Sequence, residues 1–406
     1  MYRLPLSERE TLVHESPIRK LAPYAEQAKQ EGVLIYHLNI GQPDIETPLP
    51  MRIAYREAPA VIEYGPSAGL PELRKALAAY YRDWDIDVDT DDILVTNGGS
   101  EAIIFSLMAL TSPGDEIIVP EPYYANYNGF AAMVGVNIVP VTTTLASGFH
   151  LPRIEAFEEK ISEKTRAILF SNPGNPSGAV FSRDRLGELC ELAKRKGLYL
   201  ISDEVYREIC YDGAVSVPLL TFPGMEEHVI TVDSLSKRFS ACGARIGSIA
   251  TRNERVRGLI MRFAQARLCP PTVDQLAAVK AFESLPGYIE KMVEEYRHRR
   301  EVAYRGISSI EGAFSPKTEG AFYQMIELPI ADTEEFALWL LKDFRMDGST
   351  VMVAPGQGFY ATPEIGRGQI RVAYVLNTEK MVKALEILKA GVGEFAAAGN
   401  LHRHRA

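Results

Sequence analysis

Ser234-Leu235-Ser236-Lys237-Arg238-Phe239-Ser240-Ala241-Cys242-Gly243-Ala244-Arg245-Ile246-Gly247 follows directly on a short apolar run at 228–232. A strand-sized run ending this way predicts that the string lies in the loop at a strand's carboxyl end, where parallel sheets hold their ligands. A lysine among serines, followed eight residues later by Arg245, can form a Schiff base with a carbonyl compound. Taken alone, Lys237 reads as one more solvated lysine. Its surroundings decide. Strand-like runs also lie at 93–96, 116–120, 137–141, 167–171 and 198–202, and helical patterns at 101–110, 183–194 and 253–266. Strand and helix alternating in this way predict an α/β fold, a mainly parallel central sheet with helices on both faces. Beyond about residue 285 the pattern changes to a long helix at 288–310, strands at 322–327 and 369–374, and helices at 333–343 and 378–395. The expected division is a large domain over 48–290 and a smaller α+β domain built from both chain ends, 1–47 and 291–406.

At about 150 residues per domain, 406 residues make two or three domains, and a chain this long buries a core without staples. Acidic side chains number 53 against 44 basic ones, a net charge of −9. This excludes a broad nucleic-acid-binding surface and leaves room for one small cationic pocket. Cys190, Cys210, Cys242 and Cys269 form no CxxC and no metal-ligand spacing, so reduced, mostly buried thiols and no metal are expected. The N-terminal stretch MYRLPLSERETLVHES lacks the apolar core of a signal peptide. No apolar run approaches the roughly 18 residues of a membrane span, so no membrane partner and a cytoplasmic address are expected. His402 and His404 in the tail read as solvated charge.

Other strand ends carry their own chemistry. Thr96-Asn97-Gly98-Gly99-Ser100-Glu101 closes a strand and opens a helix; its glycines permit a tight turn, and free N–H groups there can hold a phosphate. Alone, it is an ordinary strand-to-helix turn. Pro122-Tyr123-Tyr124 sets an aromatic at another strand end. Ser171-Asn172-Pro173-Gly174-Asn175-Pro176-Ser177-Gly178 makes a stiff loop able to aim an amide, from Asn172 or Asn175. Ile201-Ser202-Asp203-Glu204-Val205-Tyr206 puts a carboxylate just past an apolar strand, where a helix N-cap is the plain alternative. Arg371 lies inside the apolar pattern Ile370-Arg371-Val372-Ala373-Tyr374 and needs an anionic partner, a structural carboxylate or a ligand.

These motifs together resemble a family. The 234–247 string matches the lysine signature of the class I aminotransferases, pyridoxal 5'-phosphate enzymes of fold type I. The likeness extends from Leu38-Asn39-Ile40-Gly41-Gln42-Pro43-Asp44 to the Arg371 motif, and is to bacterial aspartate-aminotransferase-like members. The resemblance implies that Lys237 carries the cofactor as a Schiff base and moves the substrate's α-proton, in ping-pong turnover. Gly99, Ser100, Ser234 and Arg245 match the cofactor's phosphate cup. Tyr64, in Glu63-Tyr64-Gly65-Pro66, matches the tyrosine that reaches the neighbouring subunit's phosphate, which implies a homodimer with shared sites. Tyr124 matches the aromatic stacked on the pyridine ring, and Asp203 the carboxylate paired with the ring nitrogen. Asn175 and Tyr206 match the donors to the phenolic oxygen, while Arg371, Gly41 and Asn175 match contacts to the substrate.

The resemblance leaves the substrate open. One branch of aspartate aminotransferases reads the distal carboxylate with an arginine before a Pro-Pro pair, where Ala264 stands here. Another uses a lysine after the Gly-Gly pair, where Ser100 stands. Arg267, three residues past Ala264, is either a substitute reader or a structural or dimer-interface arginine. The favoured reaction is amino transfer from aspartate to 2-oxoglutarate. The alternatives are alanine or aromatic donors, or a lyase or synthase of the same fold. A regulator fused to a DNA-binding winged helix is disfavoured, since only about 45 residues precede the main domain and they are not basic enough.

Overall fold

The computed structural model describes residues 6–13, 16 and 18–399. Its strands among these residues are β1 (Leu34–His37), β2 (Ile93–Thr96), β3 (Glu116–Glu121), β4 (Asn137–Thr142), β5 (Thr165–Ser171) and β6 (Tyr199–Asp203). They continue with β7 (Val229–Ser234), β8 (Gly247–Ala250), β9 (Tyr323–Glu327), β10 (Ser349–Met352), β11 (Ala354–Pro355) and β12 (Gln369–Ala373). Seven form the central sheet in the order β2-β8-β7-β6-β5-β3-β4. β8 is antiparallel to both neighbours, while β4, β3, β5, β6 and β7 run parallel. Helices cover both faces, and strands buried on two sides read as continuous apolar runs, the pattern that made this sheet visible in the chain.

Register brings the chemistry to one edge. Ser171, Asp203 and Ser234 are the last residues of β5, β6 and β7, and Ser171 lies opposite Asp203 across the parallel pair. The strand expected at 198–202 is shifted by one residue and the one at 228–232 runs on to Ser234, so Asp203 and Ser234 belong to strands rather than to the loops beyond. No helix starts at Asp203. Its carboxylate instead accepts from Val205 N at 3.4 Å, closing a turn.

The chain ends meet. β1 pairs in parallel with β10, and Leu38 extends the contact by accepting from Ala373 N and donating to Met352 O. A separate antiparallel sheet, β11-β12-β9, packs with the Leu285–Ser308 and Thr378–Ala397 helices around a second apolar core. All four cysteines are free; Cys190 alone is buried, a correction to the expectation of mostly buried thiols. Among the described residues no helix is long and apolar enough to cross a membrane. His402 and His404 lie outside the described residues.

Candidate active site

One cavity of about 590 Å³ opens at the carboxyl edge of β5, β6 and β7. Its lining includes Gly41, Gly99, Ser100, Tyr124, Asn175, Asp203, Tyr206, Ser234, Lys237, Arg245 and Arg371. Two residues of the sequence reading stand elsewhere. Tyr64 is 83% exposed at the molecular surface. Arg267 ion-pairs with Glu101 at 3.4 Å and donates to the Ser67 and Val95 carbonyls at 3.2 and 3.4 Å, off the cavity.

Local geometry explains each placement. Ser234 caps the four-residue turn of helix Leu235–Arg238 by accepting from Ser236 N at 3.2 Å. That turn directs Lys237 Nζ into the cavity, 2.7 Å from the Gly41 carbonyl it donates to and 3.6 Å from Cys242 Sγ. A Cβ on Gly41 would overlap the Tyr323 hydroxyl, so only glycine lets this backbone approach. Arg245 adopts a left-handed backbone, φ 55° and ψ 42°, which costs an L-residue on the order of 1 kcal/mol. Its guanidinium lies against Gly98, where any Cβ would strike it, and donates to the Asn97 carbonyl at 3.4 Å. It therefore sits beside the N-terminus of the Gly98–Leu110 helix, whose free N–H groups already favour an anion.

Asp203 is 5% exposed, and burial pushes its pKa up to about 6 against the pull of hydrogen bonds from Tyr127 and Val205. Tyr127 OH donates to its Oδ2 at 2.8 Å. Tyr206 and Tyr323 share a hydrogen bond at 2.9 Å, and burial, reinforced by Tyr323, holds the Tyr206 phenol well above its ordinary pKa. Burial also raises Tyr124, to about 12.

Arg371 is 1% exposed, its guanidinium over the Tyr323 ring at 4.5 Å. It donates to Asn175 Oδ1 at 3.0 Å and to the Asn39 carbonyl, and its Nε has no partner. No carboxylate pairs with it among the described residues, and burial lowers its pKa against the opposing pull of Tyr323 and Tyr206. Of the two partners open to it in the sequence, a structural carboxylate is ruled out within the described residues.

Beneath the cavity floor lies a buried ion network. Asp233 receives Arg207 at 3.2 Å and Arg238 at 2.8 Å. Arg207 also pairs with Glu204 at 2.7 Å, Arg238 also pairs with Glu208, and both arginines donate to Tyr80 OH at 2.8 Å. The network ties the loop after Asp203 to the turn carrying Lys237.

Sequence reasoning did not single out Tyr127, Tyr323 or Arg19 for this site. Tyr127 had a signal, three residues past Tyr124 at the start of a helix; the other two are brought in by tertiary folding alone.

The description "Aminotransferase class I and II" matches residues 35–388. The chain belongs to the class I and II aminotransferases. This aminotransferase is 33% identical to the aspartate/prephenate aminotransferase of Thermus thermophilus over 89% of the chain and 91% of that protein. It is 31% identical to aromatic-amino-acid aminotransferase 2 of Thermococcus litoralis, over 94% of the chain and 97% of the relative. The solved alanine aminotransferase of Pyrococcus furiosus superposes with a TM-score of 0.88 at 31% identity, covering 96% of this chain and all of that one. Like its family, this aminotransferase is a pyridoxal-phosphate-dependent transferase of the α/β, fold type I architecture. The donor set fits that cofactor. Serine hydroxyls, a guanidinium and a helix N-terminus suit a phosphate, and a buried carboxylate faces the same space as a lysine amine.

Proposed function

We propose that the cavity transfers the amino group of an L-amino acid, with aspartate as donor and 2-oxoglutarate as acceptor, and that one observation carries the reading. Arg371 is a buried guanidinium with an unpartnered Nε and no paired carboxylate among the described residues, in a cavity shared with Lys237 and Asp203. An uncompensated buried charge is costly, and a substrate α-carboxylate gripped by two N–H groups offsets that cost. Bound here, pyridoxal phosphate supplies the carbonyl that takes up the amino group and a ring that accepts the electron pair left at Cα. Arg245, Ser234, Ser100 and the N–H groups at Gly99 would hold its phosphate. Tyr124 would face the ring, Asp203 would keep the ring nitrogen protonated, and Asn175 with Tyr206 would donate to the phenolic oxygen. Lys237 Nζ would move a proton between the substrate's Cα and the bound cofactor, off Cα in the first half-reaction and onto the new Cα in the second. Arg267 braces Glu101 and the strand-to-helix turn in this reading.

A screen of donors against 2-oxoglutarate tests the assignment. Aspartate should give the highest kcat/KM, with amino transfer and no elimination product. Alanine or an aromatic donor ahead of aspartate would move the specificity to the reading those relatives' names suggest.

The chain is further taken as two units, 48–290 and 1–47 with 291–406, that act as a homodimer in the cytoplasm. Val61 and Ile62 are exposed to 71 and 63% beside Tyr64, an apolar stretch that suits a second copy. If Tyr64 serves the partner's phosphate, Tyr64→Ala and Lys237→Ala each inactivate alone, yet one hybrid dimer holds one intact site. Mixing the refolded variants in equal amounts should then restore about a quarter of native activity. No recovery above the separate variants would put Tyr64 outside the partner's site.

A further inference from the structure

Four cations line the cavity, Arg19, Lys237, Arg245 and Arg371, against the single carboxylate of Asp203. The proposed function employs three of them: Arg245 for phosphate, Arg371 for the α-carboxylate, Lys237 for the proton. Arg19 is left over. It stands in the turn before the Ala22–Gln30 helix, and its charge, with that of Arg371, opposes the burial that raises the Tyr124 phenol. Arg245 and Arg371 are both anchored by protein carbonyls or amides. The Arg19 guanidinium has no hydrogen bond or ion pair among the described residues, and it is exposed. A solvated arginine facing a cationic pocket is poised for an anion that arrives with the substrate, since its planar fork matches a carboxylate with little to rearrange.

We propose that Arg19 reads the side-chain carboxylate of a dicarboxylic substrate and so sets the preference for four- and five-carbon diacids. This rests on the aminotransferase reading above and deepens it. Arg267 is the competing cation; its Nε also lacks a partner, but it ion-pairs with Glu101, donates to two carbonyls through Nη2 and lies off the cavity. Charge accounting agrees: with the phosphate on Arg245 and the α-carboxylate on Arg371, a second substrate carboxylate gives Arg19 a counter-ion.

The test uses the holoenzyme. Arg19→Gln should lower kcat/KM for aspartate and 2-oxoglutarate by about 10- to 100-fold and leave alanine and pyruvate within about twofold. Arg19→Lys should recover part of the loss, because charge is kept while the fork is not. Binding gives a readout independent of turnover. The dissociation constant of maleate should rise by a similar factor in Arg19→Gln, while that of propionate and that of the cofactor stay at the native values. Equal losses for di- and monocarboxylates would overturn the proposal, as would weakened cofactor binding, which would make Arg19 a phosphate holder. Either result leaves the aminotransferase reading standing. Failure of that reading looks different: no amino transfer by the native enzyme from any donor.

Discussion

Lys237→Ala should lower turnover by about 10³-fold or more, toward the upper end of what general acid–base catalysis contributes. The substitution deletes the amine that lines the cavity 2.7 Å from the Gly41 carbonyl, while the capping bond of Ser234 that forms the turn is untouched. The fold should therefore survive, and circular dichroism and the oligomeric state should match the native protein. Two readings separate chemistry from structure. The native holoenzyme should show an absorption band near the visible edge, and Lys237→Ala should shift it to that of the unlinked cofactor. Lys237→Met, which keeps the length of the side chain and drops the amine, should be as inactive as the alanine variant. Turnover above about a tenth of native in either variant would remove Lys237 from the proton-transfer role.

Asp203→Asn should move activity and stability in opposite directions. Turnover should fall by about 10²-fold or more, because a neutral amide does not keep a ring nitrogen protonated. Asp203→Glu should retain more activity than Asp203→Ala. The stability effect follows from burial. The folded pKa of about 6 lies above the unfolded value of 3.8, so the stability tied to this group is complete below pH 3.8 and lost as pH rises through 6. Above that point the apoprotein carries a penalty of about 3 kcal/mol, two pKa units at about 1.4 kcal/mol each. Asparagine, which still accepts from Tyr127, abolishes it. Denaturant melts of the apoprotein should find Asp203→Asn more stable by about 3 kcal/mol at pH 7.5 and by about half that at pH 5. An apoprotein variant no more stable than native at pH 7.5 would show that the carboxylate is not held at a cost.

The same contrast explains what could be read from the chain. Strands buried on both faces are continuous apolar runs, so β2, β3, β5, β6 and β7 stood out, as did the half-buried edge strand β4, with ends displaced by at most a residue or two. β8 did not, because Gly247-Ser248-Ile249-Ala250 is short and three of its four residues are small; its antiparallel course is imposed by the turn at Arg245. β1 and β10 are four residues each and find one another across more than 300 positions, a pairing no local pattern encodes. The strand-end motifs around Lys237, Asp203 and Asn175 were legible because each concentrates its chemistry within a few neighbouring residues. Arg19 and Tyr323 were not, since neither belongs to a motif and only the closing of the chain ends over the sheet brings them to the cavity. Arg267 was visible as a cation near a Pro-Pro pair, but nothing in the sequence announced that Glu101 would claim it.

The ion network under the cavity also bears on how this enzyme can change. Glu204, Arg207, Glu208, Asp233 and Arg238 share their charges around the Tyr80 hydroxyl, so removing one charge strands another in the interior, at about 3–5 kcal/mol. Such a group drifts only by paired or larger exchanges, and single replacements are dead ends. Anyone recombining this chain with a relative should therefore transplant the segments around 80, 204–208 and 233–238 as one cassette, because a crossover between them separates charges from the partners that hold them.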